Sequence, residues 1–142
     1  MKFEREGVKA SVKPIENPSD RRLARELSQL RSFGPSTYAC LSRDDGSYVQ
    51  VAGGNVNCAL EWRDTTQHRH FRAFQEPPVV PYRDGTKLIF CGGHIELLRG
   101  EWFFIKDVIL VFTAFLQGLP FPEHVQWRDV TEELASVGIS RP

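Results

Sequence analysis

Hydrophobic and polar positions change period twice along this chain, dividing it into a helical opening, a strand-rich middle and a helical end. Val8, Ala10 and Val12 alternate with Lys9, Ser11 and Lys13, which predicts a short first strand ended by Pro14. Asn17 followed by Pro18 predicts a helix N-cap with proline at the first helical position, and Asp20 then complements the helix dipole. Leu23, Leu27 and Leu30 recur on one face, with arginines and Glu26 on the other, until Gly34 and Pro35 close the helix.

From Thr37 the period shortens. Thr37 to Ser42 and Tyr48 to Ala52 read as strands joined by an Asp44-Asp45-Gly46-Ser47 hairpin turn. Gly53-Gly54-Asn55 supplies the next turn, and Cys58 to Arg63 and His70 to Phe74 follow as further strands. Connections this short require antiparallel neighbours and predict a meander. Alternation puts Leu60 and Trp62 on one side of their strand, with Glu61 and Arg63 on the other. Pro77, Pro78 and Pro81 mark an extended loop. Thr86 to Cys91 and His94 to Leu97 have strand composition, separated by a bulge or tight corner at Gly92-Gly93.

The clearest helix follows the Arg99-Gly100-Glu101 turn. Ile105, Val108, Ile109, Phe112, Phe115 and Leu116 recur at helical spacing, and Gly118 with Pro120 stops the run. Leu110, Val111 and Ala114 make it apolar nearly all round, which predicts a central, buried helix. Pro122 to Leu134 fits either a short strand around Val125 to Trp127 or a helical turn after Asp129. The expected fold is a single α+β domain over residues 1–142: an antiparallel β-meander packed on a hydrophobic C-terminal helix, with an additional N-terminal helix.

Composition narrows the function classes. The chain has 142 residues, enough for one domain with a real core. Lys plus Arg and Asp plus Glu each number 18, so no basic excess points to nucleic acid. Cys40, Cys58 and Cys91 are sparse and odd in number, which predicts free thiols in a reducing compartment. The residues after Met1 form no apolar leader, and Trp102 to Leu116 is too short and too charged to span a bilayer. The expectation is a cytoplasmic protein with no membrane partner.

Candidate chemistry is sparse. His68 and His70 lie two apart, a spacing that on a strand faces both the same way. Cys58, Cys91, His94 or Glu96 could then add metal ligands. Cys91 and His94 could form a nucleophilic pair, but Cys91 follows Leu88, Ile89 and Phe90, which predicts a buried, inert thiol. The glycine pairs lack the context of a phosphate loop. More is expected of the charged strand positions. Glu61, Arg63, His70 and Arg72 predict a mixed-charge sheet face, which is either solvated or a docking surface. Arg99, Glu101 and Trp102, with Glu96 nearby, make a second candidate contact, although Trp102 could equally be a core aromatic.

The run from Asp107-Val108 through Val111-Phe112-Thr113-Ala114-Phe115-Leu116, then Pro122 and Gln126-Trp127-Arg128-Asp129, resembles the Imm-type immunity proteins of bacterial polymorphic toxin systems. Tyr48-Val49-Gln50-Val51, Leu60-Glu61-Trp62-Arg63 and His70-Phe71-Arg72 are similar to the strands such proteins place before that helix. The family is often paired with deaminase and other nucleic-acid-attacking toxins. The resemblance implies a protein without enzymatic activity or cofactor, which binds its cognate toxin in the producer's cytoplasm and covers the active site. The competing expectation is a small metal-dependent enzyme or ligand-binding domain using His68, His70 and Glu96.

Overall fold

The computed structural model describes residues 1–6, 13–90 and 93–136. Its strands are β1 (Lys2–Arg5), β2 (Ile15–Glu16), β3 (Tyr38–Ser42), β4 (Tyr48–Gly54), β5 (Asn57–Asp64), β6 (Arg69–Phe74), β7 (Thr86–Phe90), β8 (Gly93–Leu97) and β9 (Gln126–Asp129). The helices among the described residues are α1 (Asp20–Leu27), α2 (Ile105–Gln117) and α3 (Thr131–Ser136), with a 3-10 turn at Arg99–Glu101. The chain is therefore α+β, built on a seven-stranded antiparallel sheet in the order β2-β1-β3-β4-β5-β6-β9. β7 and β8 form a separate two-stranded hairpin.

Local chemistry sets the element ends. α1 starts two residues later than Asn17 suggests: Ser19 is the N-cap, and its hydroxyl accepts from the Arg22 amide at 3.1 Å. Asn17 instead has φ +46°. α2 ends on Gly118 in the left-handed conformation at φ +69°, as its glycine predicts. Both readings of the tail are realised in sequence, β9 first and α3 after it. The expected strand from Val8 to Val12 and the Cys91-Gly92 corner lie outside the described residues.

The two sheet faces carry different layers. On one, Leu23, Leu27 and Leu30 from the α1 segment and Val108, Val111, Phe112 and Phe115 from α2 pack on Leu41, Val49, Val51 and Leu60. The exit of α1 presses directly on β4. A Cβ at Gly54 would lie 2.3 Å from the Leu30 carbonyl, so only glycine permits that approach. α2 is not buried all round. Leu110 is half-exposed and Lys106 exposed, because the helix covers the sheet from outside and keeps one side in solvent.

The opposite face is covered by the β7–β8 hairpin and the residues around it. Leu88, Leu97 and Trp102 pack there on Ala52 and Ala59 and form a second, smaller core. This second cover decides where the charged strand positions end up.

Candidate functional site

Register lines up a polar row across the second face. Cys40 pairs with Gln50, Gln50 with Glu61, Glu61 with Arg72, and Arg72 with Arg128. The Glu61 carboxylate accepts from Gln50 Nε2 at 2.7 Å and from Arg72 Nε at 3.0 Å, and lies 3.1 Å from His70 Nε2. Tyr38 donates to Gln50 Oε1 at 2.7 Å. Arg72 and Arg128 are like charges on paired positions, an arrangement that repels. Glu101 resolves it. Its carboxylate, delivered by the 3-10 turn, is 3.7 Å from Arg72 Nη1 and accepts from Arg128 Nη2 at 2.9 Å and Nε at 3.1 Å. Arg128 continues to Glu133 on α3. Desolvation opposes the Arg128 charge, but the hydrogen bonds and charges of Glu101 and Glu133 prevail and raise its pKa.

This arrangement corrects the expected solvent-facing surface. Glu61, His70, Arg72 and Glu101 are buried, with Glu101 only 1% exposed. Trp102 is buried too, edge-on to Tyr82 with ring centroids 4.7 Å apart, and is a core aromatic of the hairpin layer. The physical reason is the hairpin and its flanking turn, which roof the strand face that alternation alone would leave open. Of the expected contact residues, only Glu96 and Arg99 are exposed, and Arg63 is half-buried. Among the described residues the buried group holds a sheet, a turn and a helix together, with no open cleft beside it. The cavity beside it, lined by Tyr38, Gln50, Glu61, Phe90 and Ile95 among others, measures about 20 Å³, room for one water.

The residues of the metal alternative do not converge. His68 sits exposed in the β5–β6 turn at φ +53°, off the strand that carries His70, and Glu96 is exposed on the hairpin. His70 is turned inward to Glu61. Among the described residues no three His, Cys, Asp or Glu side chains are grouped to hold a metal ion. Burial pushes the Cys58 thiol up to about 12, with Asp107 adding to it. Burial likewise takes Cys40 to about 12. Both are therefore protonated and unreactive at neutral pH. Cys91 lies outside the described residues.

Sequence reasoning missed the open surface. A groove of about 260 Å³ lies where β7 meets the segment after α1. Leu88 and Trp102 form its buried floor, joined by Asn57 and Tyr82, whose hydroxyl donates to Asn57 Oδ1 at 2.9 Å. Phe33 and Ile89, 87% and 67% exposed, stand at the groove with Lys87. Ile89 was legible only as part of a strand, and Phe33 as a residue beside a closing glycine. Neither position carries a periodic signal that says exposed.

No protein-family model matches the chain, and no curated protein matches it.

Proposed function

We infer that the chain is an immunity-type inhibitor, which binds a toxin domain in the cytoplasm of the cell that makes it and covers the toxin's active site. Two things support this reading. One is the resemblance of the α2 run, the Trp127 strand and the β4–β6 sequence to Imm-type proteins. The other is a surface suited to a protein partner. The single observation that carries it is the exposure of Phe33 and Ile89 at one groove: large apolar side chains concentrated at a concave site are favoured at protein contacts. Exposed Lys87, His94 and Glu96 on the hairpin give that surface a polar, charged rim.

In this reading the buried Glu61–Arg72–Glu101–Arg128 chain has a supporting role. It fixes the turn and the hairpin on the sheet, so the surface meets its partner preorganised, and less ordering entropy is lost on binding. The toxin class that the resemblance implies is one that attacks nucleic acid. Inhibition by occlusion requires no cofactor and no chemistry from this chain.

Co-expression with the toxin domain encoded in the adjoining reading frame tests the proposal. Growth restored by this chain, together with a stable stoichiometric complex, is the expected result. Unrelieved toxicity with no co-eluting pair would sink it.

A further inference from the structure

The groove at the hairpin borders the edge of a strand. Thr86, Lys87, Leu88 and Ile89 all line the groove. Side chains of successive strand residues point to opposite faces, so four in a row can line one groove only along the strand's edge. Among the described residues β7 has one ladder partner, β8, and its other edge is unpaired. In an antiparallel ladder every second residue turns its N–H and C=O away from the partner strand. Among the described residues, the backbone of Lys87, Leu88 and Ile89 makes no hydrogen bond to any element other than β8.

An unpaired edge that borders a groove with an aromatic and aliphatic floor has two complementary demands. The edge asks for an extended main chain, and the floor of Leu88 and Trp102 asks for an apolar side chain projecting from it. Charge supplies the third element. Among the described residues that line the groove Lys87 is the charged one, and its register partner on β8 is Glu96. A carboxylate on the incoming segment, next to the anchoring side chain, complements it.

We propose that the β7 edge binds an extended, acidic segment of a partner protein as a third strand of the hairpin, with one apolar side chain of that segment seated on Leu88 and Trp102 between Phe33 and Ile89. The proposal deepens the inhibitor reading at the same surface, and rests on it only for whose segment this is.

Two arms test it. In the first, a capped peptide of about eight residues alternating Glu with Val or Leu is titrated to about 1 mM into the isotope-labelled chain. The expected result is saturable shifts at the β7 amides and the Trp102 indole. N-methylation of alternate peptide residues should weaken binding by about tenfold or more, the equivalent of one lost main-chain hydrogen bond. Replacing Glu by Lys in the peptide should also weaken it. Shifts located elsewhere, no shifts at all, or equal binding of the N-methylated peptide would overturn the proposal. So would a dimer in light scattering that the peptide does not dissociate, which would assign the edge to a second copy.

In the second arm, amide exchange is measured in the complex with the toxin domain from the adjoining frame. Protection of β7 supports the strand addition, and an unprotected β7 in a stable complex removes it while leaving the inhibitor reading intact. Failure of growth rescue with a peptide that still binds the edge removes the inhibitor reading instead.

Discussion

Glu61 and Arg72 face each other as register partners on β5 and β6, and the Arg72 guanidinium donates to the Glu61 carboxylate at 3.0 Å with both residues buried. Arg72 also neutralises Glu101, so it stands between two buried carboxylates. Breaking a buried ion pair from one side strands the other charge. Arg72→Met should therefore cost about 3–5 kcal/mol, read as a lowered urea midpoint at unchanged slope. A loss under about 1 kcal/mol would mean that Glu61 is not held by this pair, since that is the range of solvated ion pairs.

α2 offers a paired test of which side faces the core. Phe112 is fully buried, whereas Leu110, two residues earlier, is half-exposed. Phe112→Ala should cost about 3–5 kcal/mol, while Leu110→Ala should stay within about 1 kcal/mol. Equal losses in denaturant unfolding would place α2 wrongly on the sheet.

Acid stability follows from two aspartates. The Thr131 side chain and then its amide hydrogen-bond Asp129 and outweigh a small desolvation, so its pKa lies below the usual value. Burial works against ionised Asp64, but hydrogen bonds from Thr66 and Gln67 prevail and also lower its pKa. A carboxylate with a depressed folded pKa contributes stability that is complete above its unfolded value, about 3.9, and is lost as pH falls through the folded one. Thermal stability should thus be insensitive to these two groups from neutrality to about pH 5 and decline below about pH 4. Asp129→Asn should flatten that decline. An undiminished acid slope in the variant would assign it to other carboxylates.

Thiol chemistry gives an independent check on burial. With pKa values of about 12, Cys40 and Cys58 are almost entirely protonated at pH 8. Alkylation with iodoacetamide, followed by peptide mass, should leave both unmodified in the folded chain and modify both in urea. Rapid native labelling of Cys58 would contradict its place under Phe103, with whose backbone it exchanges hydrogen bonds.

Much of the fold was legible because each element announces itself locally. The alternation from Tyr38 to Phe74 and the helical recurrence from Ile105 to Leu116 state their own periods, and Gly118 states an end. The site was less legible. Alternation correctly sorted Glu61 and Arg72 from Leu60 and Trp62, yet it says only which face a side chain takes. Whether that face meets water depends on what returns to cover it. Here the cover comes from Glu101, Trp102 and the β7–β8 hairpin, and Arg128 arrives from β9 through pairings far apart in sequence. Glu61, His70, Arg72 and Glu101, put forward as surface charge, became internal structure for that reason. The exposed side chains at the groove, Phe33 and Ile89, come from segments where no period distinguishes inside from outside.

The most direct measurement is the affinity of the chain for the toxin domain that the proposed function places in the adjoining reading frame, compared between the unmodified protein and Phe33→Ala and Ile89→Asp variants whose unfolding midpoints are checked in parallel. Both positions are exposed, so stability should hold while Kd rises by about tenfold or more for each, the loss expected of a contact worth more than 1 kcal/mol. Undiminished affinity in both variants, with folding intact, would contradict a partner seated on this groove.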